Sequence, residues 1–233
     1  MKYKNIYIIG TSHIARESID QVKDFIAKQK PDIVAVELDK GRLSALVSKK
    51  REKMRFADIK HIGINGFLFS LIGAWIEKKL GEKVGVSPGS EMLSAVRLAQ
   101  QSGAKIALID QDIAITLKRF SKAFTWREKF RLVADILKGL IFRKSVVSFD
   151  LSSVPDSKLI AKLIKEVRLR YPNIYHVLVA ERNEFMAQKL ATISADFPEK
   201  RILAVVGAGH ESELIVLLKK YLNSKVNSLS DVV

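Results

Sequence analysis

The chain has 233 residues, 48% of them hydrophobic and 28% charged, a globular composition large enough to fill one substantial core. Cysteine is absent, which excludes a disulfide framework, a thiolate metal site and a cysteine nucleophile. The formal net charge of +15 favours contact with anionic surfaces, but no nucleic-acid module accompanies it, so nucleic acid ranks last among the expected partners.

The start, Met1-Lys2-Tyr3-Lys4-Asn5, runs directly into a strand, and no secretory leader is expected there. Ile6-Tyr7-Ile8-Ile9 is a short apolar run in which three of four residues are β-branched, the pattern of a buried strand. Gly10 breaks it, Thr11 and Ser12 are turn and N-cap types, and His13 leads into a helix ending at Gln29 with Ile19, Val22, Phe25 and Ile26 on one face. Pro31-Asp32 turns the chain into a second buried strand, Ile33 to Val36, which ends in Glu37-Leu38-Asp39. Strand, helix and strand with short loops form a βαβ unit, so the two strands run parallel and end on one edge. That edge is where open α/β sheets bind ligands, and the pattern predicts His13 near Glu37.

Gly41 to Arg55 reads as a helix with a strongly basic end, Lys49, Lys50, Arg51, Lys53 and Arg55, taken as a solvated face. The longest apolar run, Gly66 to Ile76, is closed by Glu77-Lys78-Lys79 and is shorter than the about 20 residues of a spanning helix. It reads as a buried helix, an interfacial helix or a partner-binding face. Gly81 to Gly89 is a loop, and Ser87-Pro88-Gly89 opens a helix from Ser90 to Ser102 that Gly103 ends. Lys105 to Ile109 is a third strand, ending in Asp110 and Asp112, which serve either in chemistry or as caps of the helix Ile113 to Ala123. Thr125-Trp126-Arg127-Glu128 fits a capping box. The helix it opens, to Phe142, carries Trp126, Phe130, Val133 and Leu137 on one side and Arg127, Lys129, Arg131 and Lys138 elsewhere. A helix of this kind either packs on the protein or lies on a membrane surface.

Val146 to Leu151 reads as a short strand or extended link, and Pro155 opens a helix to Arg170. After a break at Tyr171-Pro172-Asn173, a long helix from Ile174 to Ser194 carries Glu181-Arg182-Asn183. Ile202 to Val206 is a strand, Gly207-Ala208-Gly209-His210 a turn, and a final helix runs to Asn223, leaving Ser224 to Val233 as a disordered or truncated tail. The chain has four histidines, and two of them, His13 and His210, follow a buried strand in a Gly-x-x-His turn that opens a helix. On a 3.6-residue wheel Glu181 shares a side with Ile174, Val177, Leu178 and Phe185. A carboxylate in an apolar stripe must be hydrogen-bonded, paired or metal-bound, and Arg182 stands next to it. By the same wheel His176 points to the surface, and nothing recruits His61.

Taken together and in this order, Gly10-Thr11-Ser12-His13, Val36-Glu37-Leu38-Asp39, Pro88-Gly89-Ser90-Glu91-Met92, Asp110-Gln111-Asp112-Ile113, Glu181-Arg182-Asn183 and Gly207-Ala208-Gly209-His210 resemble the TraB/PrgY family. The resemblance runs from Ile6 to Leu214. It implies an α/β fold of the EreA/ChaN-like kind, a mixed or largely parallel sheet flanked by helices, with the site at the strand ends. It also implies the metal-dependent peptidase chemistry of the related Tiki proteases, with manganese or cobalt, and an action limiting small signalling peptides such as sex pheromones. Gln111 departs from the arginine the family more often carries there, which weakens a role for that loop in binding an anion. Microbial members often continue into C-terminal membrane helices; this sequence stops after a polar tail, as expected either of a soluble domain cut from a longer protein or of a naturally short member.

The combined reading is a single α/β domain over 1–223 with a helical insertion over about 56–145 and a tail at 224–233. Its expected function is that of a metal-dependent, peptidase-like hydrolase. His13 and His210 are the expected ligands of a divalent metal, and imidazole and carboxylate ligands admit zinc as well. Glu37 or Glu181 is expected as third ligand or general base, and Arg182 as the cation that steadies an oxyanion or orients a carboxylate. Thr11, Ser12, Asp110 and Asn183 are expected to contact substrate. The rival reading is a non-catalytic binder that sequesters a peptide in the same pocket, using the apolar Phe67 to Trp75 stretch. Partners would be a peptide, an anionic membrane surface and a second copy in a homodimer. The expected location is cytoplasmic or peripheral to a membrane.

Overall fold

Short β-branched runs bounded by Gly, Pro and Asp make the strands, and their order in the sheet decides which strand ends meet. The computed structural model describes residues 1–11, 16–48, 56–84, 89–142 and 157–230. Its strands are β1 (Lys2–Tyr3), β2 (Ile6–Thr11), β3 (Ile33–Val36), β4 (Lys105–Leu108) and β5 (Ile202–Gly207). They form one sheet in the order β1-β2-β5-β3-β4, with β1 antiparallel to β2 and the other pairs parallel. The α/β fold with a largely parallel mixed sheet is thus as the sequence reading has it. That reading makes β2 and β3 parallel, and they are, but β5 lies between them. Every residue of β3 and β5 is buried, the continuous apolar pattern of central parallel strands covered on both faces.

The helices of the sheet unit are α1 (Arg16–Gln29), α2 (Lys40–Ser48), α4 (Ser90–Gln101), α9 (Glu181–Asp196) and α10 (Ala208–Ser230), and between them in sequence come α3 (Ile59–Val84), α5 (Ile113–Ala123), α6 (Trp126–Phe142), α7 (Ser157–Arg170) and α8 (Pro172–Tyr175). Successive strand residues point to opposite faces, so the two cores alternate along β5. Ile202, Ala204 and Val206 pack with Met186, Leu190, Leu214 and Leu218 of α9 and α10. Leu203 and Val205 pack with Val22, Ile26, Met92 and Val96 of α1 and α4. Each large side chain buried in this way contributes about 1.5–3 kcal/mol relative to leaving it exposed. Gly10 permits the close approach of β2 to the start of α10, since a Cβ there would lie 2.5 Å from Glu211 Oε2 and 3.1 Å from Ala208 Cα.

The chain divides into two compact units, one covering 1–52, 86–113 and 179–233, the other 53–85 and 114–178. The first holds the sheet. The second is helical, built from α3, α6, α7, α8 and nearly all of α5. It includes the segments 53–55 and 146–178 as well as most of the expected insertion. Its small core joins Ile62 and Phe67 of α3 to Leu117 of α5, and Gly66 lets α3 touch the Leu117 carbonyl, where a Cβ would stand 2.6 Å away. α6 opens on the capping box expected from its sequence: Glu128 N donates to Thr125 Oγ1, and Thr125 N donates to Glu128 Oε2, both at 3.4 Å.

α2 is described from Lys40 to Ser48, and 49–55 lie outside the described residues. Three elements differ in extent from the sequence reading. α3 runs to Val84, through the first residues of the expected Gly81 to Gly89 loop. The long helix from Ile174 is α8, a π-helical turn at His176–Ala180, and then α9. α10 runs on to Ser230, past Asn223 and through most of the expected tail, while 231–233 lie outside the described residues. The segment Val146 to Leu151 is also outside them. Among the described residues no helix is long and apolar enough to cross a membrane.

Candidate functional site

The parallel register sets Val36 beside Val205 and Leu108, and Thr11 beside Gly207. The residues that follow each strand therefore gather on one edge: Glu37 after β3, Asp110 after β4, and His210 in the first turn of α10 after β5. α9 contributes Arg182 and Asn183 from the covering layer.

Arg182 grips Asp110 with two donors, Nε to Oδ1 at 3.0 Å and Nη2 to Oδ2 at 2.7 Å, and its Nη2 also pairs with Glu37 Oε1. The other Glu37 oxygen, Oε2, accepts the Gly207 N–H at 2.6 Å. Arg42 of α2 adds a second guanidinium. Its Nη2 donates to Asp110 Oδ2 at 2.7 Å and to the Glu37 carbonyl, while its Nε lies 3.2 Å from Asp39 Oδ2. Glu37, Asp39 and Asp110 are 4–6% exposed, so each carboxylate depends on these cations and amides. Burial by itself would raise the Glu37 pKa. The interaction with His210, the Arg182 charge and the Gly207 amide outweigh burial and hold the carboxyl well below its usual range. Burial works against the Arg182 charge too, yet Glu37 and Asp110 overcome it and raise the Arg182 pKa further.

His210 is held from behind. Its Nδ1 lies 2.6 Å from Asn183 Oδ1, and Asn183 Nδ2 donates to Glu213 Oε2 at 2.9 Å. An ionised Glu213 only accepts, so the Asn183 amide turns its NH2 to Glu213 and its oxygen to the imidazole. Nδ1 therefore carries the proton, and Nε2 faces Glu37 Oε1 at 3.3 Å. A neutral Nε2 and a carboxylate oxygen are both acceptors. Facing each other, they need a proton or a cation between them.

Of the residues the sequence reading places in the site, Glu37, Asp110, Arg182, Asn183 and His210 meet here. Thr11 is buried at the β2 end, its hydroxyl donating to the Val206 carbonyl at 3.2 Å. Ser12 and His13 lie outside the described residues, so the expected pairing of His13 with Glu37 is not described. Glu181 is half-buried at the start of α9, and the fully buried position in that turn is Asn183. The π turn adds a residue to the helix before α9, so a wheel counted at 3.6 from Ile174 and Val177 arrives rotated at Glu181. Arg42, Asp39 and Glu213 were not named as site residues by the sequence reading. Two of them left a local signal: Arg42 lies three residues after Asp39, and Glu213 lies one helical turn after His210.

Among the described residues no group of three or more His, Asp and Glu is arranged to hold a metal ion. Arg42 and Arg182 take up Asp110, and Arg182 shares Oε1 of Glu37. His210 Nε2 and Glu37 Oε1 face each other at 3.3 Å, with Arg182 also on that oxygen.

A family model described as the TraB/PrgY/gumN family matches residues 2–220. The chain is 36% identical to an uncharacterized protein of Methanocaldococcus jannaschii over 98% of its own length and 57% of that protein's. It is 26% identical to proteins of Bos taurus and Homo sapiens called TraB domain-containing protein, over 88% of this chain and 60% of theirs. The chain thus spans a little under two thirds of the length of these relatives.

Proposed function

The chain belongs to the TraB/PrgY/gumN family, and from that premise we propose that it is a metal-dependent hydrolase of small peptides, its reacting groups centred on Glu37 and His210. The observation that carries this reading is the orientation of His210. A buried imidazole whose Nδ1–H is fixed by an outer acceptor, leaving Nε2 directed at a carboxylate, is the arrangement that tunes a histidine for a metal or a proton.

The donor set fits in part: His210 Nε2 and Glu37 Oε1 supply two ligands from the described residues, and His13 would be the third. A divalent ion such as manganese, cobalt or zinc supplies, when bound, a water ionised near neutral pH. The protein's own share is positional. Asn183 and Glu213 keep the Nε2 lone pair forward. The Gly207 N–H pins one oxygen of Glu37 and Arg182 keeps that carboxylate ionised, so Glu37 serves either as a ligand or as the base for an attacking water, with His210 Nε2 as a ligand. Arg182 spends its donors on Glu37 and Asp110, which makes it the orienting cation of the site. Asp110 is engaged by the same guanidinium, Thr11 by the Val206 carbonyl, and Asn183 by His210 and Glu213.

One observation favours the second reading, a binder that sequesters its peptide without cutting it: Arg182 and Arg42 satisfy the acids of the site internally. Two measurements separate the readings. Calorimetric titration with Mn2+ should show one site in the wild type, weakened in His210→Ala and His13→Ala. Mass spectrometry of a peptide mixture incubated with the metal-loaded protein should show new termini. Stoichiometric binding with intact peptide recovered favours sequestration, and neither metal uptake nor cleavage overturns the hydrolase proposal.

A further inference from the structure

α6 is amphipathic the wrong way round for a helix that packs. Its wheel places Trp126, Phe130, Val133 and Leu137 in one stripe, and the stripe is outside, with Trp126 71% and Phe130 70% exposed and the other two more than half exposed. The opposite side, which faces in, carries Glu128 and Asp135. Glu128 is buried, accepting from the N–H and Nδ2 of Asn173 as well as capping α6. Asp135 accepts from Arg170 and from the Tyr171 hydroxyl. The helix therefore buries one carboxylate, half-buries the other and shows its large apolar side chains.

Cations frame the stripe. By the same wheel Arg127, Arg131 and Lys138 lie along one border and Lys129 along the other, with Lys129 Nζ 4.4 Å above the Trp126 ring. The whole unit shares this bias. It holds 20 Lys and Arg against 8 Asp and Glu, while the sheet unit holds 20 against 17. α3 of the same unit repeats the exposure: Phe67 and Ile62 are buried, whereas Ile64, Leu68, Leu71 and Ile72 at i, i+4, i+7 and i+8 are 45–61% exposed.

We propose that the helical unit docks on an anionic lipid bilayer, with α6 lying in the headgroup plane, Trp126, Phe130, Val133 and Leu137 in the acyl boundary, and Arg127, Arg131, Lys138 and Lys129 at the phosphates. Charge selects this occupant. A second copy of the chain would bring +15 to meet +15, which opposes self-association through this face. A nucleic acid would satisfy the cations but leave Val133, Leu137 and the aliphatic row of α3 in water. A bilayer interface accepts both, and interfacial helices bear a Lys- and Arg-rich polar side with Trp, Phe and Leu on the other.

The test is co-sedimentation of the full chain with vesicles of pure phosphatidylcholine and of phosphatidylcholine mixed with phosphatidylglycerol, at low and high salt. Binding is expected to the mixed vesicles alone, and high salt should reduce it. W126S/F130S should bind at least about tenfold more weakly, because the buried apolar area goes. R127E/K138E should bind more weakly and respond less to salt. All four positions are exposed, and an unchanged circular dichroism melt confirms that the variants fold. No binding to mixed vesicles at low salt overturns the proposal, as does equal binding to neutral ones. Tight binding to a nucleic-acid duplex that survives W126S/F130S would instead assign the cations to nucleic acid. A dimer in light scattering that W126S/F130S converts to monomer would assign the stripe to self-association.

Discussion

In the sheet unit Glu37, Asp39 and Asp110 are buried at the strand ends and held by two arginines and backbone amides, while apolar residues of α1, α4, α9 and α10 pack inward on the sheet. In the helical unit α6 buries Glu128, pairs the half-buried Asp135 with Arg170, and turns Trp126 and Phe130 out. Both units bury carboxylates, and both supply each one with donors, because an unpaired buried charge costs several kcal/mol. They differ in what the apolar residues do. Periodicity reveals that a helix has an apolar face; whether that face meets the core or something beyond the chain depends on what the other face can bond to. On α6, Asn173, Arg170 and Tyr171 wait for the acids, so the acids go in.

The largest contrast between the units should come from their arginines. Arg182 is the shared partner of two carboxylates that are 1% and 5% exposed in their side chains. Arg182→Met should destabilise the protein by about 3–5 kcal/mol, and Arg182→Lys should recover part of the loss. Arg170→Met removes the cation from Asp135 on the outside of the helical unit and should cost about 1 kcal/mol or less, since Arg170 is half exposed. Urea denaturation of the three variants measures this directly. Equal costs for Arg182 and Arg170 would erase the distinction between a buried network and a surface pair.

The pH dependence of stability should follow the sheet unit. The folded Glu37 pKa is depressed, so in the acid range the unfolded chain binds a proton there that the folded chain does not. Its contribution to stability is full above the unfolded value of about 4.3 and is lost as pH falls through the folded value, by about 1.4 kcal/mol for each unit of depression. Urea midpoints measured from pH 7 down to acid should fall for the wild type over that window and fall less steeply for Glu37→Gln. Parallel curves would mean that Glu37 is not held as the geometry has it.

A finer cut lies within the site itself. Asn183 touches neither Glu37 nor Asp110 in the contacts above; it acts through His210. Asn183→Leu should leave the Arg182 clamp in place, free the tautomer of His210, and lower any Mn2+ affinity about 10–100-fold. The 15N shifts of the His210 ring report the tautomer even if no metal binds, and an unchanged ring spectrum would remove Asn183 and Glu213 from the positioning role.

Much of this was legible before any coordinates. Ile33-Val34-Ala35-Val36 and Ile202 to Val206 announce central strands by being apolar at every position, and Thr125 and Glu128 announce the start of α6 by their spacing. The edge where ligands gather follows from parallel strands alone. Strand order does not, because it depends on which distant strand fills the gap between β2 and β3. Of the residues the sequence gathers at that edge, Glu37, Asp110 and His210 meet, and His13 lies outside the described residues. The Arg182 clamp was half legible: the residue was picked out next to Glu181, but its true partners, Glu37 and Asp110, are 145 and 72 residues away. Pairings across such separations leave no periodic trace, and the π turn before α9 shifts the one wheel that tried to reach them.

The smallest expected effect is the most pointed use of the comparison. Phe120 and Phe130 both lie in the helical unit on amphipathic helices with apolar neighbours one turn away. Phe120 is 2% exposed and stacks on Phe69 and Phe124, with ring centroids 4.6 and 5.1 Å apart. Phe120→Ala removes a packed ring and should cost about 3–5 kcal/mol. Phe130 is 70% exposed, and its ring neighbour among the described residues, Trp126, is as exposed as it is. Phe130→Ser should change stability by no more than about 0.5 kcal/mol in either direction, the range of a surface substitution. If stability falls by several kcal/mol instead, the ring is part of a core and the outward stripe of α6 does not exist in solution. If stability holds while vesicle binding falls, Phe130 serves an interaction and contributes nothing to the fold, a division of labour that a hydrophobic residue reveals only when folding and binding are measured on the same variant.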